Sequence, residues 1–508
     1  MDSKEFREAA ISSIDQSKPP PLSFIVKYYD TLDERKVVSE VEPGYLRKLL
    51  PDHAPEDGEA WSDIQKDVED KIVPGLTHWQ SPNFLAWFPS SSSFPAMLGE
   101  MYSTAFTGAA FNWICSPAVT ELETIVMDWL AKAFALPDCY MSAGPTHGGG
   151  VIHGTASEAI ATVLVAARDK YLREATKGLT GEEQEDAMAE RRGKLVALGS
   201  AATHSATKKA AMIAGVRFRT IPVHAKDGYR LTGESLRSTV QALWAKGLEP
   251  FFLTATLGTT DTCSIDDFDS ITEVLSEPAP EGHGEIWVHV DAAYAGVALV
   301  CPEYQHLTKQ LSKFHSFNTN LHKWLLTNFD CSCLWVRDRA WLIEALSVNL
   351  AILQNSYTSS GLVTDYRDWQ IPFGRRFRSL KVWFVIRSYG IKGLQAHIRK
   401  HVGLGEMFAE LLKTRSDLFE IVTGPRFALT VFKLKGHDSA AITIDEQNAL
   451  TKKYYDNIIA EGKIFLSSTV VGDVFALRHC PATPFVEEVH VKKHFEILVA
   501  NAETTLAN

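Results

Sequence analysis

Cysteine is scarce and unpatterned in this sequence. Seven residues, at 115, 139, 263, 301, 331, 333 and 480, include no C-x-x-C pair, so neither a disulfide framework nor a zinc site is supported and a reducing compartment fits. The acidic residues near the termini show no metal-ligand spacing either, and no metal is expected. No run of 18 or more apolar residues occurs, which argues against a membrane-spanning helix. Positive charge is not in excess: 51 Lys and Arg stand against 62 Asp and Glu, a formal charge of −11, so the basic field of a nucleic-acid binder is missing. The opening MDSKEFREAAISSIDQ lacks the features of a secretory signal or a transit peptide and reads as cytoplasmic. Internal repeats and low-complexity tracts are absent as well. What is there is 508 residues, 45% hydrophobic and 22% charged, enough for a large core.

Three regions follow from patterning. Residues 1–90 carry short helical stretches broken by KPPP at 18–21 and by Pro43, Pro51 and Pro55, a helical appendage. Residues 91–390 alternate apolar helices, such as ELETIVMDWLAKAF and SEAIATVLVAARDKY, with short strands at 194–199, 216–223, 251–256, 286–291, 314–320 and 333–337. That alternation predicts an α/β domain with a mostly parallel central sheet. The Ala- and Glu-rich stretch at 175–193 reads as a solvated helix. Residues 391–508 read as a smaller α+β domain with strands in FALTVFKLK and VFALRH.

In open α/β sheets ligands bind beyond the carboxyl ends of the strands, and His204, Thr260, Asp291, His322 and Lys323 all follow or close predicted strands. HGGGVIHGTASEA (147–159) opens an apolar helix with Thr155, Ala156 and Ser157, a cradle for an anion. It lacks the Gly-Lys-Ser/Thr of a nucleotide-binding loop, which favours an organic cofactor phosphate. Asp291, in an apolar strand, requires a cationic partner such as a protonated heterocycle nitrogen. Lys323, between His322 and Trp324, lies in an apolar stretch where desolvation makes an amine nucleophilic. Each has a plain structural alternative: an N-cap, a turn-capping Asp, a snorkelling Lys, and for His204 a helix cap. Phosphate anchor, pyridinium partner and Schiff-base lysine in one chain point to pyridoxal phosphate. The aromatic run HWQSPNFLAWFP (78–89), with Phe111 and Trp113, either lines a pocket for an aromatic substrate or packs as core.

The motifs VEPGYLRKLLP, THWQSPNFLAWFP, SPAVTELETIVMDWL, GGGVIHGTASEA, ATLGTT, HVDAAYAG, SFNTNLHKWLL and TDYRDWQIPFGRRFRSLKVWF resemble those of the group II pyridoxal phosphate decarboxylases, of the aromatic L-amino-acid decarboxylase type. The resemblance implies a fold-type I enzyme, a homodimer whose N-terminal helices pack over the partner and whose active site lies at the interface. It places Lys323 as the cofactor-binding lysine, Asp291 on the pyridinium nitrogen, and His204 and Ala293 on the two ring faces. Ala156, Ser157 and Asn320 match phosphate-holding positions, with Thr260 and His322 beside the cofactor. Trp79, Trp87, Phe88 and Phe111 match the substrate pocket, and Ser90 the contact to the substrate carboxylate. Gly374 matches a position where glycine accompanies indole substrates in plant relatives. The implied reaction converts tryptophan, phenylalanine or tyrosine to the amine.

One position departs from the pattern. The family's mobile loop, near 343–362 here, carries a tyrosine that protonates Cα, and ungapped alignment puts Ile352 there. Isoleucine has no proton to give. Relatives with phenylalanine at that place form an aromatic aldehyde, ammonia and peroxide with oxygen. Tyr357, or His204 with water, is the substitute donor the sequence offers.

Overall fold

A computed structural model describes residues 21–348, 356–357, 363–436 and 442–507. The main sheet contains β1 (Gly149–His153), β2 (Leu195–Ser200), β3 (Arg217–Ile221), β4 (Glu249–Thr256), β5 (Trp287–Asp291), β6 (Ser316–Asn320) and β7 (Ser332–Val336). Their spatial order is β1-β7-β6-β5-β4-β2-β3. Strands β3, β2, β4, β5 and β6 are parallel neighbours, β7 pairs antiparallel with β6, and the edge strand β1 pairs antiparallel with β7 and so points the same way as the rest. Strands β2, β4, β5, β6 and β7 are buried at every position, as in sheets covered on both faces; β2, β4, β5 and β7 are accordingly mostly apolar, while β6 (SFNTN) buries polar side chains.

The expected strands from 194 to 337 correspond to β2 through β7. Strand β1 was hidden in the Gly-rich element because glycine weakens a strand signature. The glycine is required by packing: a Cβ at Gly150 would lie 2.4 Å from Met127 and 2.8 Å from Trp335. The helices Pro117–Ala133 and Ala156–Ala175 match the apolar segments, and Gly181–Arg192 is a helix with no buried residue.

A second, antiparallel sheet has the order β10-β11-β9-β8, with β8 (Phe419–Arg426), β9 (Leu429–Leu434), β10 (Ser467–Val471) and β11 (Val474–His479). Helices Ile444–Glu461 and Glu488–Ala507 pack with it. Strand β8 was not legible because Gly424 and Pro425 inside it resemble a turn. Two helices that together span Arg378–Thr414 meet at Gly390, whose φ of 62° and ψ of 170° are not helical, so this glycine joins two helical segments. Among the described residues of the N-terminal region, short helices cover Pro21–Asp30, Tyr45–Leu49 and Trp61–Asp67. No helix among the described residues is long and apolar enough to cross a membrane.

The segment leading into the long helix is fixed by a buried ion pair. Arg375 donates to Glu123 at 2.6 and 3.0 Å, both side chains are essentially inaccessible, and Glu123 also accepts the Ile152 N–H of β1 at 2.8 Å. Taking two charges out of water is expensive, so the bidentate geometry is what makes the pair tolerable, and removing one partner strands the other. Glu123→Ala is therefore expected to cost about 3–5 kcal/mol, seen as a lower midpoint in denaturant unfolding. A change under 1 kcal/mol would contradict this role.

Candidate active site

The carboxyl ends of β4, β5 and β6 open into a cavity of about 360 Å³. Into it the chain brings Lys323, Asp291, His204, Thr260, Ala293, Asn320 and His322, together with Ala156 and Ser157. Trp79, Trp87, Phe88 and Ser90 form the facing wall. Residues far apart in sequence meet here because parallel strands deliver their following loops to one edge.

Lys323 sits in the one-turn helix Leu321–Trp324 directly after β6, with Nζ 5.5 Å from the Phe88 ring centroid. Burial pulls its amine below the ordinary lysine value, Asp291 opposes the shift, and Arg478 reinforces it. Asp291 is buried at the end of β5, and its Oδ1 accepts the Ala293 N–H at 3.0 Å. Among the described residues, no donor is bonded to Oδ2.

His204 is both a helix cap and a cavity residue. It caps the helix Ser205–Ile213 through Nδ1, which accepts the Ala206 N–H at 3.1 Å, and it also lines the cavity. In the neutral ring that bond leaves the proton on Nε2. His322 is held differently: Nδ1 accepts the Cys331 N–H at 2.8 Å and Phe329 stacks on the ring at 3.9 Å. Burial, reinforced by Lys323, pushes its pKa down to about 3, so it stays neutral at physiological pH.

The helix Ala156–Ala175 begins at the cavity, capped by Thr155, whose hydroxyl accepts the Glu158 N–H. The N–H groups of Ala156 and Ser157 thus belong to a first turn with no intrahelical acceptors. Asn320 Oδ1 and Thr256 Oγ1 are buried without a partner. At Gly258 (φ 89°) a Cβ would come within 2.6 Å of Ala295, so only glycine lets this turn lie so close to the β5 loop.

Three contributors escaped the sequence reading. Tyr294 is sandwiched between Phe88 (3.8 Å, 12°) and Trp324 (4.8 Å, 16°), forming an aromatic column beside Lys323. Phe329 is the second, through its stack on His322. The third is Arg478 on β11, buried and 5.1 Å from the Phe88 centroid. It donates to the carbonyls of Thr260 (2.7 Å) and Trp87 (3.2 Å) and to the Ser467 hydroxyl (2.9 Å). An arginine in the otherwise apolar strand VFALRH was the available signal.

Phe111, Gly374 and Tyr357 do not line this cavity. Phe111 packs on Phe373 at 4.9 Å, next to Gly374, and its carbonyl accepts the Arg367 N–H. Tyr357 packs on Trp113 at 4.7 Å. These residues form a second aromatic cluster. Ile352 lies outside the described residues.

The model of the pyridoxal-dependent decarboxylase conserved domain matches residues 43–435. The chain is 44% identical to the aromatic-L-amino-acid decarboxylase of Rattus norvegicus, covering 98% of this chain and 97% of the relative. It is 43% identical to the phenylacetaldehyde synthase of Arabidopsis thaliana, covering 100% and 97%. Among solved structures, that of Oryza sativa TDC with PLP and tryptamine superposes with a TM-score of 0.91 at 36% identity, over 100% of this chain and 99% of the other. The donor set fits pyridoxal phosphate: the Ala156 and Ser157 N–H groups of a helix's first turn for the phosphate, an open carboxylate oxygen for a ring N–H, and a lowered amine.

Trapping of pyridoxal phosphate on Lys323 of the apo-protein, followed by borohydride reduction and peptide mass, should reach half its maximal rate below pH 10.5. Asp291 holds the proton on, so Asp291→Asn should move the midpoint further down, and Arg478→Met should move it up. An unshifted lysine midpoint in all three proteins would contradict the geometry.

Proposed function

The chain belongs to the pyridoxal-dependent decarboxylase family, and from that premise we propose how its own residues take the carboxylate from an aromatic L-amino acid. The activity is pyridoxal phosphate-dependent decarboxylation of aromatic L-amino acids. When bound, the cofactor supplies the sink for the electron pair left at Cα. The observation that carries the residue assignment is the meeting of Lys323 and Asp291 in a cavity walled by Trp79, Trp87 and Phe88.

Lys323 would hold the cofactor, and the desolvation that lowers its amine would favour the neutral form that can bond to it and give way to the substrate amine. Asp291 would keep a proton on the cofactor ring nitrogen. Ala156, Ser157 and Asn320 would hold the phosphate, Thr260 and His322 would lie beside the cofactor, and His204 and Ala293 would flank its ring. Trp79 and Trp87, stacked at 5.4 Å and 18°, offer a flat aromatic face to the substrate side chain, and Ser90 orients its carboxylate. His204, with its proton on Nε2, is the donor to Cα through water, and Tyr357 is the second candidate. Tryptophan is the preferred substrate in this reading, supported by glycine at 374, the residue that the family resemblance associates with indole substrates.

The active unit in this reading is a cytoplasmic homodimer. Phe94, Leu98, Met101 and Tyr102 lie on one stripe of the helix Phe94–Ala105 and are all exposed, joined by Phe106 and Ile114. Such a patch marks a protein interface. The cluster of Phe111, Phe373, Trp113 and Tyr357, outside the chain's own cavity, is the part that a second subunit would contribute. Seven free cysteines suit a reducing compartment. The domain reading, with 1–90 on the partner, 91–390 around the cofactor and 391–508 as a buttress, is part of the same proposal.

A second reading, an aldehyde synthase, is favoured by Ile352 and by the similarity to phenylacetaldehyde synthase. Aerobic reactions with L-tryptophan and L-tyrosine, followed by mass spectrometry and a peroxide assay, separate the two. Amine without peroxide is expected; aldehyde with stoichiometric peroxide would overturn the first reading in favour of the second. His204→Gln should lower kcat by about 10²–10⁴, whereas Tyr357→Phe should leave it within about threefold. The reverse order would hand the proton-donor role to Tyr357. Met101→Glu should yield a monomer by analytical ultracentrifugation, and an unchanged dimer would contradict the interface.

A further inference from the structure

A second cavity, of about 340 Å³, lies at the opposite edge of the main sheet. It is bounded by the helices Gly233–Trp244 and Phe268–Leu275 and by the segment leading into β5. Its floor is apolar, made of Val240, Leu275, Ile286, Val288 and Phe314. Val288 in this floor is three residues from Asp291 along β5, on the order of 10 Å at roughly 3.3 Å per residue. Nothing in the decarboxylation chemistry uses it.

Its charges do not cancel. Arg237 is taken by Glu277, and Glu285 is taken by His315 at 3.2 Å with Lys170 at 3.7 Å. Lys313 and Arg337 have no carboxylate within 4 Å among the described residues, but Glu285 still acts on Arg337 through its charge, so the lining, with three cations facing two carboxylates, carries one positive charge in excess. Arg337 is held in place by its stack on Trp341 at 5.5 Å. The indole nitrogen of Trp244 is buried in the cavity wall with no acceptor, and His283, whose ring lies 5.6 Å from that of Trp244, has an unpartnered buried Nδ1. An indole N–H can only donate, so what it calls for is an acceptor oxygen.

An apolar floor, a buried donor without an acceptor and one positive charge in excess describe a receptor for one chemical class. We propose that this cavity binds a small aromatic monocarboxylate: the ring lies on Val240, Ile286 and Phe314, and the carboxylate accepts the Trp244 N–H and meets Lys313 and Arg337. The site is separate from the Lys323 cavity and does not depend on the reading of that cavity.

The test is isothermal titration of the holoenzyme with indole-3-acetate, hexanoate and inorganic phosphate as probes. Saturable binding of indole-3-acetate is expected, with hexanoate and phosphate each weaker by at least about tenfold. Lys313 is exposed, so its variants keep the fold; Lys313→Glu should weaken indole-3-acetate at least about tenfold and Lys313→Arg should restore it to within about threefold. Absence of saturable binding, equal affinity for hexanoate or phosphate, or binding indifferent to Lys313→Glu would each overturn the proposal. The last outcome would place the probe in the Lys323 cavity instead.

Discussion

The site depends on burying an amine and a carboxylate together where the parallel strands end. Lys323 and Asp291 come from the ends of adjacent strands, β6 and β5, so the main sheet's hydrogen bonds fix their separation. Desolvation pushes the amine toward its neutral, nucleophilic form, and the carboxylate restrains that shift. Neither effect would survive in an open cleft, because water would screen both. The aromatic wall and the Phe88–Tyr294–Trp324 column therefore serve the electrostatics as well as the shape.

The small sheet takes part in the site through Arg478. Trp87 has a φ of 51°, a conformation costing a non-glycine residue about 1–2 kcal/mol. Its N–H donates to Ser467 Oγ at 3.0 Å and its carbonyl accepts from Arg478 at 3.2 Å. A neutral hydrogen bond contributes about 1 kcal/mol and a charged one about 1.5–3, so the two bonds outweigh the strain and hold the indole toward the cavity. The same guanidinium binds the carbonyl of Thr260. One buried cation thus joins two walls of the pocket to β11 and, through its charge, lowers the Lys323 amine.

Much of this was legible because parallel strands advertise themselves. Strands β2, β4, β5 and β7 are mostly apolar runs, and polar residues closing or following β2, β4, β5 and β6, namely His204, Thr260, Asp291 and Lys323, line the cavity. The Gly-rich loop was legible as an anion cradle but not as β1, since the glycines that make room for Met127 and Trp335 erase the strand pattern. Arg478 was missed because its meaning lies in carbonyl contacts to segments hundreds of residues earlier. His204 could not be resolved between cap and site because the same side chain caps a helix and lines the cavity. Local patterning also could not say that Phe111 and Tyr357 gather apart from Lys323 within one chain.

The central claim is that Lys323, in this setting, performs decarboxylation of an aromatic amino acid. Carboxyl-labelled L-tryptophan supplied to the holoenzyme tests it most directly, with released CO₂ counted against substrate consumed for the native chain and for Lys323→Ala. One CO₂ per tryptophan from the native chain and none above background from the variant is the predicted result. Consumption of tryptophan without CO₂, or undiminished release from Lys323→Ala, would contradict it.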